Sequence, residues 1–267
     1  MIKPAGSPDS ATATRGSSWN ASAGPVLLVA GESPSRAFVV VPDIATTDAT
    51  IAAIPHPADV TLFSRAGTVQ TAALPALNSN GACPAADISA APPPRPWNIG
   101  FIGGVVAPVG MDSIESIAAT DSSSLTVWMN RLASALPNDS AGRFNGLQFV
   151  LRGLWRFTIP SGPRVVVATL GRQINQEATP LQERTFLVAE ESPVDSTFAS
   201  AYSERIYGDE DTIQNTEVLA GALIGVDRTP TVVVARDFGD ANAFGFIERS
   251  GSGKWRARWS SARRHCN

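Results

Sequence analysis

The sequence predicts a mainly β protein of antiparallel four-strand meanders, arranged as propeller-like blades or a sandwich, with one or two short helices around 112–136. Three observations predict it. Short runs rich in Val and aromatic residues are separated by Gly, Pro, Asn and Asp, the pattern of strands and turns. Apolar residues at helical spacing occur in one stretch only. One four-strand pattern is written twice toward the C-terminus.

Residues 1–24 are small, polar and proline-containing and predict a disordered leader, or a chain whose native start lies elsewhere. They lack the charged start, apolar stretch and cleavage site of an export signal. Residues 25–83 predict an N-terminal β unit with strands at Val26 to Ala30, Ala37 to Val41, Val60 to Arg65 and Thr68 to Leu74. Ala66-Gly67 joins the last two as a tight hairpin. Residues 84–97 include PAADISAAPPPRP, whose five prolines exclude a helix or a central strand and predict a linker, with a polyproline ligand as the alternative.

Residues 98–146 predict a connecting segment. Gly103-Gly104 follows an apolar strand and reads as a bulge or turn, Asp112 and Glu115 have capping-box spacing, and a second helix start falls at Thr120 or Asp121. Leu125, Trp128, Leu132 and Leu136 then share one helical face, and Pro137-Asn138 ends the helix. Residues 147–267 predict an antiparallel domain with strands at Phe149 to Ile159, Val165 to Leu170, Thr185 to Glu190, Phe198 to Glu204, Val218 to Ile224, Thr231 to Arg236, Ala243 to Arg249 and Trp255 to Ser261. Alternation in the last strand sends Trp255 and Trp259 to one face and Arg256 and Arg258 to the other.

The eight strands fall into two copies. Val165-Val166-Val167-Ala168 matches Val232-Val233-Val234-Ala235 at an offset of 67, and Thr185-Phe186 matches Ala243-Phe244 at an offset of 58. The stretch from Pro230 to Ala262, a valine strand, an Asp/Gly turn, an aromatic strand and a Trp strand, resembles the repeats of FG-GAP and integrin-like propeller families. Those families carry a calcium loop of the type Asp-x-Asp-x-Asp-Gly. The turn here, Asp237-Phe238-Gly239-Asp240-Ala241-Asn242, lacks those acidic oxygens, so no calcium site carries over. The chain also resembles exported bacterial β-repeat proteins ending in a Trp strand and a Cys, which implies a periplasmic or secreted location and no activity.

Composition narrows the chemistry. Only 17% of residues are charged, against about 25% in an ordinary soluble domain. The 21 basic residues are 19 Arg with Lys3 and Lys254, and the two His are His56, between prolines, and His265, near the C-terminus. Catalysis through Lys or His therefore has few places to sit. The net charge of −3 argues against nucleic-acid partners, and no apolar run approaches a membrane helix. Cys83 and Cys266 each follow the last strand of a four-strand unit, which suggests a disulfide joining the two ends of the chain, with two free thiols as the alternative.

No nucleophile elbow, Walker loop or HExxH pattern occurs, so no catalytic residue, metal site or cofactor is expected. A carbohydrate hydrolase needs just two carboxylates. Glu190, Glu191, Glu204, Asp209, Glu210 and Asp211 at strand ends are its candidates. The favoured expectation is a non-catalytic extracytoplasmic binding or structural module for a protein or saccharide partner. Its candidate contacts lie on the polar connection 172–184, at Arg172, Asn175, Glu177 and Glu183, with Trp155 as a stacking face.

Overall fold

The computed structural model describes residues 26–40, 58–75, 77–78, 85–137, 142–174, 180–210 and 212–265. The leader, His56, Asn175, Glu177, Asp211, Cys83 and Cys266 lie outside them. In chain order the strands are β1 (Val26–Ala30), β2 (Arg36–Val39), β3 (Ala58–Phe63), β4 (Val69–Leu74), β5 (Leu77–Asn78), β6 (Ala85–Asp87), β7 (Ile99–Ile102), β8 (Val106–Val109) and β9 (Asp112–Ser113). After helix α1 (Ala119–Ala135) come β10 (Val150–Thr158), β11 (Arg164–Ile174), β12 (Leu181–Glu191), β13 (Phe198–Asp209), β14 (Asn215–Ile224), β15 (Thr229–Asp237), β16 (Asn242–Gly251) and β17 (Lys254–Ser260). The protein is mainly β and antiparallel, with one α-helix among the described residues.

The N-terminal strands form a sheet in the order β4-β3-β7-β1-β2-β6-β5. Ser89, just past β6, exchanges both backbone hydrogen bonds with Ala73 on β4, which brings the two margins together into a small closed barrel. Alternation along these short strands points Leu28, Val39, Val60, Leu62, Leu74 and Trp97 inward, and Leu27, Val29, Phe63, Ile99 and Phe101 outward. Closure hides strand edges that would otherwise be open to pairing.

The two predicted meanders are present, β10 to β13 and β14 to β17, and each gains a fifth strand. Sheet I runs β13-β12-β11-β10-β9 and sheet II runs β17-β16-β15-β14-β8. They face each other across a core of Phe157, Val165, Val167, Phe186 and Val188 from sheet I and Val218, Val232, Val234, Ile247 and Trp255 from sheet II, a β-sandwich. The outer face of sheet I packs on Leu125, Met129 and Ala133 of α1, and the outer face of sheet II packs on the barrel. The molecule is thus a stack of helix, sheet I, sheet II and barrel. Both sheets are covered on both faces, which is why β11 and β15 carry continuous rather than alternating valines.

The linker and connecting segment differ from expectation. Residues 84–97 hold β6 and the buried Trp97, whose indole donates to Pro34 O at 2.8 Å. Residues 99–113 then serve all three sheets in turn: β7 lies between β1 and β3 in the barrel, β8 is an edge of sheet II and β9 an edge of sheet I. Where this segment passes the β3–β4 hairpin, glycine is required on both sides. Gly67 has φ +84°, and a Cβ on Gly110 would come within 2.9 Å of Ala66 O. Asp112 sits in β9 instead of capping a helix, and a 3-10 turn occupies Ile114–Ser116.

Two face assignments are corrected. A bulge shifts the β16–β17 register between Phe246 and Ile247, so Trp255 points into the sandwich and Trp259 toward the barrel, not to one face. The offset of 67 holds, because Val165 and Val232 face the same core; the offset of 58 does not, because Phe186 faces the sandwich core and Phe244 the barrel. That pairing is one residue out of register, and a slip of one reverses every side chain.

Candidate functional site

Sheet I presents a different arginine cluster on each face. On the helix side, Glu183 is fully buried between two guanidiniums, with Arg172 Nη2 at 3.0 Å and Arg205 Nε at 2.8 Å. Arg172 also donates to Phe144 O at 2.8 Å and lies 4.6 Å from the Phe149 ring centroid. Arg205 donates to the carbonyls of Ala133, Leu136 and Pro137, so its cation meets the negative end of α1. The arrangement fixes the helix C-terminus to the sheet.

Four of the residues expected at a binding loop are thereby answered or set aside. Arg172 and Glu183 do meet, directly opposite each other in the β11–β12 register, but as a buried ion pair and not as an exposed contact surface. Asn175 and Glu177 lie outside the described residues. Trp155 is separate from them: it lies on the sandwich face of sheet I, whereas Arg172 lies on the helix face. Its ring is already covered by Arg65 from the barrel hairpin, 5.2 Å from the centroid.

The sandwich face holds two further carboxylates. Glu190 at the end of β12 accepts from Arg249 Nε at 2.6 Å, from the Trp255 indole at 2.6 Å and from Gly253 N at 2.8 Å, which ties sheet I to the β16–β17 hairpin. Burial pushes its carboxyl up, but the Arg249 guanidinium, the Gly253 N–H and the Trp255 indole together hold it below the usual Glu range. Toward the opposite end of β12, Glu204 accepts from Arg236 and from the Tyr202 hydroxyl, both at 2.5 Å. Burial and the Glu204 carboxylate drive the Tyr202 pKa far up, so the phenol remains a neutral donor.

Beside Glu204 the end of the sandwich has a shallow opening, continuous with solvent. Arg152, Thr169, Arg184, Phe186, Glu204 and Ile206 line it from sheet I, and Gln214, Asn215 and Thr216 close it from the start of β14. Arg152 occupies the extra position of the β10–β11 bulge, between Leu151 and Gly153, and its guanidinium lies over Gly171, where any Cβ would come within 2.6 Å of Nε. Arg184 donates Nε and Nη2 to Gln182 Oε1 at 3.2 and 3.0 Å. Neither arginine has a carboxylate partner among the described residues. Burial lowers the Arg184 pKa, and the neighbouring Arg152 charge lowers it further, against smaller opposing effects of Asp237 and Glu210.

Sequence reasoning missed this cleft because its two arginines come from different strands, and the bulge that aims Arg152 is a property of the pairing. No group of three or more His, Cys, Asp or Glu side chains suited to a metal occurs among the described residues. Among the described residues no helix is long and apolar enough to cross a membrane. Comparison with protein families, curated proteins and solved structures finds no match.

Proposed function

We propose that the protein is a non-catalytic binding module of the extracytoplasmic space, and that the cleft between sheets I and II is where it meets its ligand. The observation that carries this is the contrast in charge satisfaction. Glu183, Glu190 and Glu204 are each held by guanidiniums of the same chain, whereas Arg152 and Arg184 line an opening to solvent and form no ion pair among the described residues. A small ligand pocket combines a few convergent polar groups with an apolar wall, here Phe186 and Ile206.

Carboxylate-based hydrolysis of carbohydrate has less support. It needs an acid and a base or nucleophile flanking the substrate. Glu204 is the one carboxylate lining the cleft, and Arg236 and Tyr202 hold it. Glu190 is buried beneath Arg249 and Trp255, and Glu191 pairs with Arg164.

Amide chemical-shift mapping tests the binding assignment. A panel of neutral oligosaccharides, short peptides, phosphate and succinate at low ionic strength should contain a solute whose shifts map to Thr169, Arg184, Ile206 and Gln214. Shifts that appear only elsewhere, or none at all, would remove the cleft as the binding site. Export rests on the two cysteines. Thiol titration of the denatured, unreduced protein should find no free thiol; two titratable thiols would place the protein in a reducing compartment.

A further inference from the structure

We infer that the cleft is an oxyanion site, in which Arg152 and Arg184 clamp a phosphate or dicarboxylate group of a small solute. This rests on the cleft being the binding site and adds the chemical class of the ligand. Arg236 pairs with Glu204 in the wall, which leaves Arg152 and Arg184 as the cations that line the opening with no ion pair among the described residues, while Asp237 and Glu210 act on Arg184 from farther off.

The donors suit such a group. Arg184 uses two of its N–H groups on Gln182, and a guanidinium carries five, so three remain for a ligand. Arg152 makes no side-chain hydrogen bond among the described residues and lies across the bare backbone of Gly171, where a Cβ would displace it. Guanidinium forks match the paired oxygens of carboxylates and phosphates. Gln214, Asn215 and Thr216 on the opposite wall supply neutral amides and a hydroxyl, the groups that would select what the anion is attached to.

Long-range attraction is not the source of affinity. The chain carries −3 overall, so an anion is repelled at a distance and is held only where the local field reverses sign. Two like charges converging on one space are also a standing repulsion that a dianion removes. Binding should therefore raise the melting temperature as well as produce heat.

Titration calorimetry at low ionic strength, with inorganic phosphate in one arm and succinate in the other, tests the assignment on the full chain. The variants are Arg152→Met, Arg184→Met and, as a control on an exposed arginine outside the cleft, Arg256→Met. At least one arm should show saturable binding that either cleft variant weakens tenfold or more and that Arg256→Met leaves unchanged. Tighter phosphate binding would indicate a phosphorylated solute, and tighter succinate binding a carboxylate. If neither anion binds while a neutral solute shifts the cleft amides, the oxyanion assignment is overturned and the binding module stands. If no solute of any class reaches the cleft, both fall. Anion binding that survives both cleft substitutions also overturns it, and circular dichroism of each variant separates lost binding from lost folding.

Discussion

The two faces of sheet I treat the same side chain in opposite ways. Against the helix, two arginines share one carboxylate, and every element around them is tied down: β11, β12 and β13 through the ion pairs, and α1 through its terminal carbonyls. Against sheet II, two arginines share only a space. Burying a charge is costly unless it is paired, so the helix-side cluster must be balanced to exist at all. Arg152 is exposed and Arg184 half-buried at an opening to solvent, so water can reach both cations. A paired arginine is therefore structural here, and an unpaired one is available.

That contrast can be broken most forcefully at Glu183. Glu183→Gln leaves Arg172 and Arg205 facing each other in the interior and should cost about 3 to 5 kcal/mol of unfolding free energy in urea. A loss below about 1 kcal/mol would mean that the cluster is not the constraint described. Glu190→Gln should cost less, about 2 kcal/mol, because Arg249 lies nearer the surface and can turn toward water.

Glu190 also makes a pH prediction. Its folded pKa lies below the unfolded value, so the stability it contributes is present above the ordinary Glu pKa of about 4.3 and is lost as pH falls through the folded value. Between pH 6 and pH 3 the wild-type midpoint should drop further than that of Glu190→Gln. Equal drops would assign the acid sensitivity to other groups. The smallest effect belongs to the cleft: Arg152→Met and Arg184→Met should change stability by no more than about 0.5 kcal/mol, while removing anion binding. A large destabilisation by either would make that arginine structural and erase the contrast.

The strands were legible because their signals are local. Valine and aromatic runs between turn residues located all eight strands of the sandwich meanders, and Ala66-Gly67 marked the barrel hairpin, where Gly67 takes the left-handed conformation that the turn requires. The amphipathic stretch was legible too, with Leu125 on the buried face. Met129 and Ala133 were missed there, since the helix is wedged deeply enough to bury its small residues along with its large ones.

The site was much less legible. Arg172 and Glu183 stood out as charges in a charge-poor chain, but nothing in their spacing shows which face of a sheet they take or that Arg205 from β13 joins them. Trp155 and Arg172 are 17 positions apart and on opposite sides of one sheet. Two bulges caused the rest: one aims Arg152 into the cleft, and the other parts Trp255 from Trp259.

By itself, the sequence determined that this chain is mainly antiparallel β with one or two short helices, where the strands of the two sandwich meanders fall, and that its polar chemistry must be written in arginine, carboxylate and amide. Hydrogen bonding and side-chain period act over a few residues, and those properties depend on nothing else. Only the tertiary structure decided that a proline-rich stretch closes a barrel, that fifteen residues thread three sheets, and which arginines find a carboxylate and which do not. Those outcomes depend on strand order, register and bulges, which are set by contacts between residues far apart in the chain.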